Sequence, residues 1–301
     1  MLKARLLRCW LRATSLLPLP VVHGLGAALG LLLWRLRRRD REVAEDNIQA
    51  CFPGHGPAER AHLVRASFRE LGKQIMESGL IWYAGARRLE GLVTNPQAIE
   101  DLEAAWPRDG GLLVAAPHLG NWELANLFVS LHHRVHGLYR PPRQAWLEPV
   151  LLELRARTGG RTVPAGAGGL RHLLRTLREG QLVGILPDQV PREGGVHAPF
   201  FGVPARTMTL LCQMARKTGA GVVFVFMERL PRGQGFRLHV LPGEAAIRDA
   251  DPAVAAAALN RSVEACVRIA PAQYQWTYRR FRKPPPGQPD PYRPGAARRR
   301  Q

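Results

Sequence analysis

Three short apolar runs constrain the fold of this chain more than any other feature of its sequence. They cover residues 112–116, 182–186 and 222–226, and a proline directly follows the first two. Each run is continuously apolar rather than alternating, which is typical of strands that are buried on both faces. Residues 236–241 alternate instead, as in a strand at the edge of a sheet. The runs therefore predict a sheet that is covered on both sides.

Segments with helical periodicity separate these runs. The predicted helices cover residues 122–131, 146–157, 170–178, 207–217 and 252–269, and two more precede the first strand at residues 42–51 and 57–83. Strands that alternate with helices predict an α/β fold, here a mixed and largely parallel sheet flanked by helices. Without an internal repeat or a clear linker, residues 40–283 are expected to form a single domain.

An apolar run from Leu16 to Trp34 lies near the amino terminus, between two groups of basic residues. These groups are Lys3, Arg5, Arg8 and Arg12 on one side and Arg35, Arg37, Arg38, Arg39 and Arg41 on the other. The run is barely long enough to span a bilayer, which takes about 20 residues. Flanking cations also suit a helix that lies among anionic headgroups. We expect residues 1–39 to form a membrane-anchoring helix, either spanning or in the membrane plane, with a buried helix as the alternative.

The carboxyl-terminal segment has the composition of a disordered tail. Residues 284–301 contain six prolines and end in Arg298, Arg299, Arg300 and Gln301. Such a segment has too few apolar side chains to form a core of its own. We therefore expect a disordered basic tail.

The formal net charge of +19 narrows the classes of partner. It suits nucleic acid, an anionic membrane surface, or an acidic protein or lipid. Nucleic-acid binding would need exposed aromatic residues among the cations, and only residues 274–283 approach that pattern. Because those aromatics better suit a core or a membrane interface, we expect no nucleic-acid partner. The four widely spaced cysteines suggest neither a disulfide framework nor a zinc site.

Ionisable residues follow two of the predicted strands. His118 comes after Pro117, and Asp188 comes after Pro187. Ligands bind at the carboxyl ends of strands in open α/β sheets, so His118 and Asp188 are expected to share one site. Glu123 can reach His118 if the histidine lies in the loop before the next helix. A histidine oriented by a carboxylate can act as a general base, the alternative being a structural histidine in a tight turn.

Several further motifs accompany His118 in order and spacing, over residues 40–283. They are Asp46-Asn47-Ile48, Cys51-Phe52-Pro53, His118-Leu119-Gly120-Asn121-Trp122-Glu123, Tyr139-Arg140-Pro141, Leu154-Arg155-Ala156-Arg157, Leu186-Pro187-Asp188-Gln189, Pro199-Phe200-Phe201-Gly202, Pro271-Ala272-Gln273-Tyr274-Gln275-Trp276 and Arg279-Arg280-Phe281. In the residues, order and spacing of these motifs, the chain resembles the bacterial acyltransferases that add secondary acyl chains to lipid A. That family lies within the lysophospholipid acyltransferase group, and its mark is the H-x-x-x-x-[DE] motif.

The resemblance implies a glycerolipid acyltransferase-like fold and a role for each matching residue. His118 would be the general base and Glu123 the carboxylate that orients it. The residues implied in substrate binding are Arg155, Asp188, Arg140 and Asn121, with Arg157 as an alternative to Arg155.

The resemblance also implies the partners and the location. The donor would be an acyl carrier protein thioester and the acceptor a phosphorylated glycolipid, at the cytoplasmic face of the bacterial inner membrane. No cofactor or metal is expected, because a thioester is already activated. Another glycolipid, an aminolipid or a lysophospholipid is the alternative acceptor, and a non-catalytic scaffold is the alternative role.

Overall fold

The computed structural model describes residues 2–139, 142, 144–156, 160–164 and 166–292, and for residues 155 and 156 it describes only the backbone. The strands in these ranges are β1 (Leu112–Ala115), β2 (Val135–Tyr139), β3 (Arg161–Pro164), β4 (Leu182–Ile185), β5 (Val196–Phe200), β6 (Val203–Thr207), β7 (Gly221–Arg229) and β8 (Phe236–Pro242). Six of them form the central sheet in the order β3-β2-β4-β1-β7-β8, and β5 and β6 form a separate hairpin. All neighbours in the central sheet are parallel except the antiparallel pair β7 and β8.

Eleven α-helices occur in the described ranges. They are α1 (Leu2–Ser15), α2 (Leu19–Leu36), α3 (Arg38–Cys51), α4 (Pro57–Tyr83), α5 (Ala86–Leu92), α6 (Ile99–Ala104), α7 (Trp122–His132), α8 (Glu148–Ala156), α9 (Ala167–Arg178), α10 (Leu210–Thr218) and α11 (Pro252–Ile269). The prediction of a mixed, largely parallel sheet flanked by helices is therefore confirmed. The predicted helix over residues 207–217 begins three residues too early, because Thr207 is still the last residue of β6.

The two faces of the sheet carry two separate hydrophobic cores. In β1, Leu113 and Ala115 belong to one core, while Leu112 and Val114 belong to the other. Strand β7 divides in the same way, with Phe224 on one face. Both faces are covered, which explains why these strands have continuously apolar sequences.

Helix α2 lies directly against α4, with backbone touching backbone. A Cβ atom added at Gly72 would lie 2.0 Å from the carbonyl oxygen of Gly26, and one at Gly30 would lie 2.0 Å from that of Phe68. In addition, His23 of α2 places its Nε2 2.7 Å from the buried carboxylate of Glu77. Residues 1–39 were expected to be an anchor outside the domain. The structure instead makes α2 part of the folded unit, because glycines let the two helices approach this closely.

The opposite face of α2 is apolar and exposed. Helix α2 has the length and mean hydropathy of a membrane span, the one such helix among the described residues. Exposed large apolar side chains on α1, α2 and the turn between them are Leu2, Leu6, Leu16, Val21, Leu25, Leu32 and Leu36. The helix therefore has one face on the protein and one face without protein cover.

Substitution of Gly72 tests the contact between α2 and α4. We expect Gly72→Ala to lower the free energy of unfolding by about 1–3 kcal/mol, because the new Cβ forces the helices apart. Gly91 of α5 is the matched control, since a Cβ added there meets no atom within 4 Å. Gly91→Ala should instead be neutral or stabilising by about 0.5–1 kcal/mol. Denaturant unfolding of both variants measures the difference, and equal stabilities would contradict this packing.

The predicted tail is attached to the domain at Tyr292. Its hydroxyl donates to Oδ1 of Asn47 at 2.5 Å and accepts from the backbone N–H of Phe281 at 3.0 Å. The expectation of disorder from residue 284 onward therefore does not hold for Tyr292, whose phenol bonds to the domain. Residues 293–301, the rest of the predicted tail, lie outside the described residues.

Candidate active site

His118 and Asp188 meet because β1 and β4 are adjacent parallel strands. Ala115 at the end of β1 pairs in register with Ile185 at the end of β4. After each strand the chain passes through a proline and reaches His118 in one case and Asp188 in the other. Oδ1 of Asp188 lies 2.8 Å from Nδ1 of His118, and Oδ2 accepts the backbone N–H of His118 at 3.0 Å. The carboxylate thus holds both the ring and the main chain of His118.

Asp188 is ionised although it is buried. Burial alone would raise the pKa of this carboxyl, but His118 and its two hydrogen bonds outweigh burial and hold the pKa of Asp188 below its usual value. An ionised carboxylate can only accept a hydrogen bond, so Nδ1 of the neutral imidazole carries the hydrogen and donates it to Asp188, and the lone pair lies on Nε2. Nε2 of His118 is therefore the nitrogen that can remove a proton from a substrate.

An amide lies against this nitrogen. Nε2 of Gln189 is 3.2 Å from Nε2 of His118 and donates to Oε1 of Gln275 at 3.1 Å. The backbone N–H of Gln275 in turn donates to the carbonyl oxygen of His118 at 3.1 Å. Neither glutamine was predicted to have a role in the site. The one sequence signal that could have found them is their place beside Asp188 and Trp276 in motifs that carry the family resemblance.

Glu123 does not occupy the position predicted for it. The two ring nitrogens of His118 face Asp188 and Gln189, whereas Glu123 lies in the first turn of α7 and lines a neighbouring cavity. The carboxylate that orients His118 is thus Asp188, seventy residues away in sequence. Strand β4 brings Asp188 to the imidazole ring of His118, whereas Glu123 lies in the first turn of α7, which leads away from that ring.

Asn121, predicted to bind substrate, is in the interior. Its Oδ1 accepts the N–H of Leu124 and caps α7, and its Nδ2 donates to Oε2 of Glu77 at 2.7 Å. With a relative exposure of 1%, Asn121 has no surface to offer a substrate. Its contacts fix the loop that carries His118, so the structure makes it a positioning residue.

Behind Asn121 lies a buried ion pair that was not predicted from the sequence. The guanidinium of Arg229 bonds to both carboxylate oxygens of Glu77 and to Glu70. Burial alone would raise the pKa of Glu77, but Arg229 and His23 outweigh it and lower the pKa to about 2. The pair joins α4 to β7 directly beneath the His118 loop.

Of the arginines predicted to bind substrate, only one lies among the residues that the structure describes. Arg155 lies in α8, where only its backbone is described, and Arg140 and Arg157 lie outside the described residues. The described residues contain no group of three His, Cys, Asp or Glu side chains arranged to share a metal ion.

An apolar cavity lies next to Trp122, whose ring packs against that of His118. It extends from Ala116 and Leu186, at the carboxyl ends of β1 and β4, to Leu182 and Val135 at the opposite ends of β4 and β2. Four residues of strand correspond to about 13 Å. Its floor includes Gly137 of β2 and Gly184 of β4, which pair side by side and have no side chains to fill the space. The cavity has the lining of a site for a hydrocarbon chain.

Comparison with known proteins identifies the family. The sequence profile described as bacterial lipid A biosynthesis acyltransferase matches residues 4–283. The chain belongs to this family. It is 31% identical to the lipid A biosynthesis lauroyltransferase of Escherichia coli K12, over 92% of this chain and 90% of the relative. Identity to the palmitoleoyltransferase of the same organism is 30%, over 90% and 88%, and identity to its myristoyltransferase is 24%, over 89% and 83%. This lipid A acyltransferase family member carries its His118–Asp188 pair next to an apolar cavity.

Proposed function

We propose that this acyltransferase moves a fatty acyl chain from an acyl carrier protein thioester to a hydroxyl of a lipid A precursor, with His118 as general base. The observation that carries the proposal is the position of the His118–Asp188 pair next to the apolar cavity, with Trp122 between them. A bound acyl chain would occupy the cavity and present its thioester carbonyl near the imidazole.

The transfer step follows from the orientation of His118. The acceptor oxygen forms a bond to the thioester carbonyl carbon while its proton passes to Nε2 of His118. The tetrahedral intermediate then collapses, the carbon–sulfur bond breaks, and the imidazole returns the proton to the departing thiolate. Ionised Asp188 stabilises the imidazolium between these two steps.

Membrane contact is supported by the exposed face of α1 and α2. Because α2 packs along α4, we assign it an orientation in the membrane plane rather than across the bilayer. Exposed leucines would enter the lipid, and Arg35, Arg37 and Arg38 would meet anionic headgroups. The proposed location is the cytoplasmic face of the inner membrane, where an acyl carrier protein is accessible.

The arginines are assigned to the acidic groups of the acceptor. Helix α8 carries Arg155 and is followed by residues 160–162, which line the cavity. Arg155, with Arg140 and with Arg157 as the alternative, would bind phosphate through the two-pronged geometry of guanidinium. The net charge of +19 also suits an acidic carrier protein.

The test is a transfer assay with purified enzyme. Acyl carrier protein thioesters and a lipid A precursor are incubated with the enzyme, and mass spectrometry of the lipid should reveal one added acyl chain. A lysophospholipid, an aminolipid and a second glycolipid serve as competing acceptors. Faster transfer to one of these, or transfer only from coenzyme A thioesters, would contradict the corresponding part of the proposal.

The cavity floor predicts how chain length can be changed. A Cβ added at Gly137 meets no atom within 4 Å, so Gly137→Val should fill cavity space without disturbing β2. We expect kcat/KM to fall at least about tenfold for the longest chain used, relative to shorter chains. Gly168→Val is the control, since Gly168 also has open space and lies outside the cavity lining. Competition between thioesters of different length measures the preference, and an unchanged profile for Gly137→Val would place the chain elsewhere.

A further inference from the structure

His23 is a buried polar residue in a helix that is otherwise apolar. It and Arg35 are the ionisable residues of α2, and His23 is 5% exposed on the face that packs against α4. Its Nε2 lies 2.7 Å from Oε1 of Glu77 and has no other polar partner among the described residues. Burying a polar group costs free energy unless the group is paired. Because the glycines of α2 already provide the close packing on α4, an apolar side chain would serve at this position if packing were its only role.

The carboxylate that His23 contacts joins three elements of the fold. Oε1 of Glu77 meets His23 of α2 and Nε of Arg229 of β7. Oε2 accepts from Nδ2 of Asn121, in the loop after His118, at 2.7 Å and from the guanidinium of Arg229 at 2.7 Å. Glu77 itself is fully buried. A shift of α2 therefore moves the same carboxylate that holds Asn121.

Asn121 transmits such a shift to the loop that carries His118. Its backbone N–H donates to the carbonyl oxygen of Met227 at 2.8 Å. A Cβ atom at Gly120 would lie 2.0 Å from that same oxygen, so the loop is pressed against β7. With no side chain at Gly120, the side chain of Asn121 sets how the loop is oriented. Small displacements matter here, because proton transfer needs the imidazole within hydrogen-bond reach of the acceptor hydroxyl.

We propose that His23 is a positioning residue for acyl transfer, which acts through Glu77 and Asn121 on the loop that carries His118. The proposal rests on the proposed function, in which His118 is the general base. Helix α2 then has a different role on each face. Its exposed leucines are directed away from the protein, and His23 supports the active site.

Two substitutions of His23 separate the polar contact from the volume of the side chain. His23→Leu keeps an apolar side chain of similar size and removes the nitrogen, whereas His23→Gln retains an N–H donor. We expect His23→Leu to lower kcat at least about fivefold while KM for the thioester stays unchanged, because the loop is displaced and substrate binding is not altered. His23→Gln should recover most of the lost kcat. Equal kcat values in wild type and His23→Leu would overturn the proposal.

A loss of stability alone is controlled by Val263→Ala. Val263 is a buried residue of α11 that takes no part in these contacts. The variant should have a lower melting temperature, because a cavity replaces two methyl groups, and an unchanged kcat. If kcat falls as far in Val263→Ala as in His23→Leu, at a temperature where both are folded, the effect of His23 is merely structural.

A double variant tests whether His23 acts through Asn121. Asn121→Ser keeps an oxygen that can cap α7 and loses the amide that reaches Glu77. If both residues act along one path, His23→Leu with Asn121→Ser should lose no more kcat than Asn121→Ser alone. A loss equal to the product of the two single losses would show that His23 acts independently and would overturn the path. Absence of acyl transfer by the wild-type enzyme would instead overturn the proposed function.

Discussion

Purified enzyme carrying His118→Ala is expected to transfer acyl chains about 10²-fold to 10⁴-fold more slowly than wild type, because it lacks the general base. The variant should still fold, since the imidazole is partly exposed and lies in a loop, but with a lower melting temperature, because the buried Asp188 carboxylate loses its ring partner. A rate assay with saturating thioester, together with thermal unfolding, measures both properties. Near-full activity in the folded variant would remove His118 from the mechanism.

The carboxylates allow a sharper comparison within the same prediction. Asp188→Asn keeps the size of the side chain but loses the charge that orients His118 and stabilises the imidazolium, so its loss in kcat should approach that of His118→Ala. Glu123→Gln should cost less, since the ring nitrogens of His118 face other residues. If Glu123→Gln proves the more damaging of the two, the carboxylate that orients His118 during turnover is Glu123.

The parts of the site that the sequence predicted are those with a simple structural pattern. Strands β1 and β4 are buried on both faces and so have continuous apolar sequences, and the rule for carboxyl ends placed His118 beside Asp188. The edge strand β3 and the glycine-containing β2 lack such runs, so neither was predicted. The spacing within the His118 motif favoured Glu123 as the carboxylate that orients His118. Asp188 comes from a different strand, and the spacing of one motif carries no information about such a partner.

The glutamines and the ion pair were missed for a different physical reason. Gln189, Gln275 and Glu77 belong to residue types that are mostly exposed, so nothing in their identity indicates burial. Glu77 lies in α4 among polar neighbours, and only its partner on β7, far away in sequence, shows why a carboxylate is tolerated there. Such long-range pairs depend on the whole fold and cannot be read from one segment.

This buried pair gives the largest effect on stability that we expect from a single substitution. Glu77→Gln should lower the free energy of unfolding by about 3–5 kcal/mol, because it leaves the Arg229 guanidinium buried with only Glu70 as a charged partner. The exposed pair of Arg261 and Glu244 is the matched control. Glu244→Gln should cost less than about 1 kcal/mol, since solvent screens that pair. Denaturant unfolding at neutral pH measures both values.

The pH dependence of stability provides a second measure of the same pair. The pKa of Glu77 is lowered from 4.5 to about 2 in the folded protein, so the folded state binds this proton less readily than the unfolded state does. The resulting stabilisation, about 3 kcal/mol, is fully present above pH 4.5 and is lost as the pH falls toward 2. Glu77→Gln has no such group to titrate, so its stability should fall less steeply over this range than that of wild type.

Replacing both partners, as in Glu77→Leu with Arg229→Met, should restore much of the stability lost in Glu77→Gln, because no unpaired charge is then buried. A double variant as unstable as the single one would show that shape, rather than charge pairing, is what holds α4 to β7 beneath the His118 loop.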